Sequence, residues 1–99
     1  MSIDTYKMMQ QVRYKLKDNT LSEQELLYIV KEGVEIANKL DIHEQRNIRR
    51  FILLQFAFSR QQLKSHSIRK TLTNILTYQA WNEDKRLDFI YKNLVGRKT

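Results

Sequence analysis

The chain has 99 residues, enough for one domain with a single core. It holds no proline, no cysteine and only two glycines, and its 18 Lys and Arg outnumber 11 Asp and Glu, for a formal charge of +7. Disulfides, thiolate chemistry and cysteine-ligated metals are therefore excluded, and the scarcity of helix breakers points to helix nearly throughout.

Met9, Val12 and Leu16 recur at helical spacing and predict a first helix over residues 4–17. Ser22 followed by Glu25 has the form of a capping box, with Leu21 and Leu26 placed for a hydrophobic staple. The second helix then runs to Leu40, turning Leu26, Leu27, Val30, Gly33, Val34 and Ala37 inward. Glycine inside a helix costs about 1 kcal/mol against alanine, so Gly33 predicts the close approach of a neighbouring helix.

Asp41 with Glu44 offers a second box, opening a third helix over residues 42–64. Its centre, FILLQFAF, is apolar nearly all round, which predicts that this helix is the central one. Ser65 or Ser67 caps a fourth helix that faces Ile68, Leu72, Ile75, Leu76 and Gln79 inward. Asn82 caps a fifth, with Leu87, Ile90, Tyr91 and Leu94 inward, Gly96 ending it, and Arg97 and Lys98 beyond. Short connections favour antiparallel neighbours. The expected fold is all-α, a compact antiparallel bundle of four or five helices forming a single domain over residues 1–99. The opening MSIDTYKMMQQVRY lacks the basic and apolar regions of a signal peptide, and no run is long enough to span a bilayer. A cytoplasmic location is expected.

The charge is unevenly placed. Residues 45–82 contain no Asp or Glu, yet hold Arg46, Arg49, Arg50, Arg60, Lys64, Arg69 and Lys70. On one continuous helix, the first five of these share an arc of about 100° along roughly 27 Å of axis. Guanidinium groups in a row fork onto successive phosphates, and the counterions they release drive binding. Thr73, Asn74 and Thr77 extend that surface with neutral donors. The expectation is a non-catalytic protein that binds the backbone of DNA or RNA, as a small subunit of a larger ribonucleoprotein or DNA-bound complex. The plain alternative is a solvated helix side whose bases pair with acids on neighbouring helices.

Three weaker patterns remain. Residues 61–76 resemble a helix-turn-helix in outline but lack the turn glycine, and read better as an ordinary connection. On the first helix Tyr6, Lys7, Gln10, Tyr14 and Lys17 lie away from the core, where tyrosines either stack on unpaired bases or cover the core edge. Phe89 points outward amid Lys85, Arg86 and Lys92, the placing of a protein contact, whereas Trp81 is placed as a packing anchor. The alternative function is accordingly a protein-interaction module, such as an immunity protein, inhibitor or adaptor. His43 and His66 stand apart without other soft ligands, and no phosphate loop, nucleophile elbow or HExxH occurs. No metal, cofactor, small-molecule substrate or enzymatic role is expected.

Overall fold

The computed structural model describes residues 4–16, 20–58 and 60–95, except the side chains of Arg60 and Gln61. The chain is an all-α helical bundle, with no strand among the described residues. It divides into two units, Met1–Leu53 and Leu54–Thr99.

Unit 1 contains α1 (Thr5–Lys15), α2 (Glu23–Lys39) and most of α3 (Gln45–Ala57). Asp4 caps α1 by accepting from the Lys7 amide at 3.1 Å, and Met8, Met9 and Val12 form the buried face. Leu16 closes the helix as a half-buried C-cap. The capping box of α2 is complete: Ser22 Oγ accepts from the Glu25 amide at 3.1 Å, and Glu25 Oε1 accepts from the Ser22 amide at 3.0 Å.

These bonds favour the ionised carboxylate. Donation from the Ser22 amide first, then from its hydroxyl, holds the Glu25 carboxyl below the ordinary glutamate range. A pKa depressed by folding adds stability above the unfolded-state value, and that stability is lost as pH falls through the folded-state value. Thermal melts at neutral and acid pH should therefore show a shallower acid decline for Glu25→Gln than for the parent. Ser22→Ala should cost about 1 kcal/mol at neutral pH.

The end of α2 is a Schellman turn. The Asp41 amide donates to Asn38 O at 3.2 Å and the Ile42 amide to Ala37 O at 2.9 Å. Asp41 occupies the left-handed position (φ 63°) where glycine is usual, and its carboxylate meets His43 Nε2 at 2.8 Å. The expected box of Asp41 with Glu44 is thus not formed, because Asp41 terminates α2 instead of starting α3. The third helix begins at Gln45, three residues later than expected.

Within unit 1, α3 buries Asn47, Ile48 and Ile52. Ile52 supplies the close approach that Gly33 predicts: a Cβ on Gly33 would lie 2.5 Å from Ile52 Cγ1. The helix does not continue to residue 64. It ends at Ala57, Phe58 bends, and a separate single turn, α4 (Arg60–Lys64), follows. The buried face changes before that break. Gln55, which shares the side of Ile48 and Ile52, is exposed, while Leu54 and Phe58 are buried from another side. One straight helix serves a single inward direction, and phenylalanine and serine add little helical preference of their own.

Unit 2 continues through α5 (His66–Leu76), α6 (Glu83–Ile90) and a closing π-helical turn, Tyr91–Val95. Of the two candidate caps for α5 it is Ser65 that serves, accepting from the Ile68 amide at 3.4 Å. Asn82 caps α6, accepting from the Lys85 amide at 2.8 Å. Leu76, Leu87 and Ile90 are buried, and Ile68, Leu72, Ile75, Tyr91 and Leu94 half-buried. Gln79 is exposed, since α5 stops at Leu76 and the helical phase is lost. Gly96, Arg97 and Lys98, expected at the chain's last helix end, and Lys17 on the first, lie outside the described residues.

Candidate nucleic-acid interface

The two units differ sharply in charge. Unit 1 has nine Lys and Arg against eight Asp and Glu, a net +1; unit 2 has nine against three, a net +6. Nearly the whole surplus is therefore carried by unit 2, whose three acids, Glu83, Asp84 and Asp88, all belong to α6.

The predicted row of five bases along one helix is not formed, because the break after Ala57 separates Arg46, Arg49 and Arg50 from Arg60 and Lys64. The first three belong to unit 1, and Arg49 and Arg50 are engaged there. Arg49 Nη1 donates to Gln11 Oε1 at 3.0 Å, and Arg50 Nη1 donates to the buried Asn47 at 3.1 Å. Both are half-buried, whereas Arg46 is exposed and also has a bonding partner. Arg60 opens α4, and its side chain lies outside the described residues.

In unit 2 three of the predicted cations stand in the open. Lys64, Arg69 and Lys70 are exposed, and none forms an ion pair among the described residues. At about 100° per residue, His66, Ser67, Lys70, Thr73, Asn74 and Thr77 share an arc of about 120°, running roughly 16 Å along α5. Every one of them is exposed, and Arg69 flanks them. Opposite lie Ile68, Leu72, Ile75 and Leu76, which seat the helix on its neighbours. One side of α5 is thus cationic or neutral and rich in donors, and it carries no carboxylate.

Next to it in sequence is an aromatic corner. The Trp81 ring meets Tyr78 edge-on at 5.3 Å and Phe89 at 5.2 Å, with Lys85 Nζ 4.9 Å from its centre. Trp81 is the anchor of this corner. Phe89 remains 38% exposed and Tyr78 50%.

Arg86 was grouped by sequence with the outward bases around Phe89, but it is buried at 3% exposure. Its guanidinium donates from Nη1 to Leu76 O, the last carbonyl of α5, and from Nε to Asn82 O at 3.4 Å. The available signal was position: Arg86 precedes Leu87 and stands one helical turn before Ile90, on the core side of α6. No helix among the described residues is long and apolar enough to cross a membrane. No family model, curated protein or solved structure matches the chain.

Proposed function

We propose that the protein binds nucleic acid through backbone phosphates, without catalysis, as a small subunit of a larger ribonucleoprotein or DNA-bound complex. The contact surface is centred on unit 2: Lys64, Arg69 and Lys70, preceded by Arg60 on α4. Arg46, Arg49 and Arg50 form a second cationic set in unit 1. The observation that carries the reading is the α5 surface, whose exposed side is built of cations and neutral donors without a single carboxylate. Phosphates along a strand meet the cations, while Thr73 and Asn74 offer hydrogen bonds to their oxygens; the Thr77 hydroxyl donates instead to Thr73 O at 2.7 Å. Such contacts position a strand without reading its sequence.

The test is binding of single- and double-stranded nucleic acid at several salt concentrations. Three phosphates neutralised on duplex DNA correspond to a slope of log affinity against log salt of about −3. The triple variant Lys64→Ala, Arg69→Ala, Lys70→Ala replaces only exposed side chains and should flatten that slope by about one for each cation removed. A triple variant that binds with the parent's affinity and slope would refute the reading.

A second reading rests on the aromatic corner. Tyr78 and Phe89 leave apolar ring surface in water around Trp81, which suits docking on another protein. Absence of any nucleic-acid shift at low salt favours that reading.

A further inference from the structure

The α1 pattern of tyrosines and bases acquires a third dimension in unit 1. A cleft of about 400 Å³ is lined by Lys7, Gln10, Gln11, Tyr14 and Lys15 of α1 and by Arg49 of α3. Its volume falls within the range of small-ligand sites, about 300–1,000 Å³. At about 100° per residue the five α1 residues fall within an arc of about 140°, so they share one helix side.

The lining joins three kinds of chemistry. Lys7, Lys15 and Arg49 are cations, and among the described residues no carboxylate lines the cleft. Asp4, which borders a neighbouring hollow, has its carboxylate turned to the Lys7 amide. Arg49 is held in place, since its Nη1 donates to Gln11 Oε1 at 3.0 Å, and the guanidinium of this cleft-lining residue carries further N–H donors. Tyr14 is 87% exposed, so its ring offers a flat apolar surface in water directly among the cations. Gln10 adds an exposed amide that both donates and accepts. A phosphate alone makes no use of the ring and the amide, and an apolar ligand makes no use of the cations. A group with a phosphate at one end and a planar heterocycle at the other uses all three.

We infer that this cleft binds one nucleoside monophosphate unit, its phosphate on Lys7, Lys15 and Arg49 and its base stacked on Tyr14. The unit is either a free nucleotide or an unpaired nucleotide within a strand. This site is distinct from the α5 surface and does not depend on it.

The test is nuclear magnetic resonance of the full ¹⁵N-labelled chain, titrated with adenosine 5′-monophosphate, inorganic phosphate, a short single-stranded oligoadenylate and a matched duplex. The nucleotide is expected to shift the side-chain amides of Gln10 and Gln11 and to bind more tightly than inorganic phosphate. Tyr14→Ala changes only an exposed ring, and should weaken nucleotide binding about tenfold while leaving phosphate binding unchanged. Arg49→Ala should weaken both, and Arg49→Lys should restore part of each. The variant Lys64→Ala, Arg69→Ala, Lys70→Ala should bind the nucleotide like the parent, which separates this site from the α5 surface.

Shifts with the single strand as well as the nucleotide assign the unit to a strand. Shifts with the nucleotide alone assign it to a free ligand. Unmoved Gln10 and Gln11 amides at millimolar nucleotide would overturn the inference. So would a Tyr14→Ala protein that titrates like the parent, or equal affinity for nucleotide and inorganic phosphate.

Discussion

Arg86→Ala is expected to destabilise unit 2 by about 3 kcal/mol, measured by urea unfolding followed by circular dichroism. The guanidinium is 3% exposed and bonds two main-chain carbonyls, Leu76 O and Asn82 O. Leu76 O belongs to the last residue of α5, and carbonyls at a helix end have no partner within the helix. Asn82 caps α6. One side chain therefore ties the end of one helix to the start of the next. Alanine takes the guanidinium donor from Leu76 O, leaves Asn82 O with only the residue 86 amide at 3.1 Å, and removes a buried aliphatic stem. Arg86→Met keeps most of that volume and should lose less, about half as much. Loss of under about 0.5 kcal/mol on Arg86→Ala would place the residue among ordinary surface positions and refute the tie.

Gly33→Ala should also destabilise, against the usual benefit of alanine in a helix. Helical preference favours the change by about 1 kcal/mol. The new methyl, however, would sit 2.5 Å from Ile52 Cγ1 and 3.2 Å from Cδ1. Ile52 is 1% exposed, and a β-branched side chain inside a helix has essentially one rotamer, so it cannot swing aside. Overpacking of this kind costs about 1–3 kcal/mol, which outweighs the gain in all but the mildest case. The diagnostic is a double-mutant cycle. Ile52→Ala alone should cost about 2–5 kcal/mol, but distinctly less once Gly33→Ala has filled part of the space. Additive losses would mean that the two residues do not meet.

Both predictions mark the limit of what the sequence reveals. Local chemistry was readable: the Ser22–Glu25 box and the Asn82 cap each depend on a few neighbouring residues, and the helical glycine at position 33 announced a close approach without naming Ile52; each is present. Two helix limits were not. The turn at Asp41 uses a residue whose type suits a helix start, yet the backbone there is committed to ending α2. The break after Ala57 has no proline or glycine to announce it. It accompanies a change in which side of the chain is buried, a change seen only when Gln55 is found exposed and Leu54 buried. The candidate interface divides the same way. Its freedom from acids over residues 45–82 is a property of the string of letters. Which cations reach solvent is a property of packing: Arg49 and Arg50 turn to Gln11 and Asn47, Arg86 is enclosed, and Lys64, Arg69 and Lys70 stand out. The cleft beside Tyr14 needs Arg49 brought across from another helix, and no spacing along the chain foretells that.

The paired thioethers of Met8 and Met9, sealed on the inner side of α1, have a chemical consequence. Peroxide converts an accessible methionine into a polar sulfoxide, which an apolar interior accommodates poorly. With Met8 2% and Met9 5% exposed, an oxidant reaches sulfur far more readily while α1 is transiently detached. Each oxidation event would then hinder the helix from docking again, so damage at these two positions records how often, and for how long, that helix lets go.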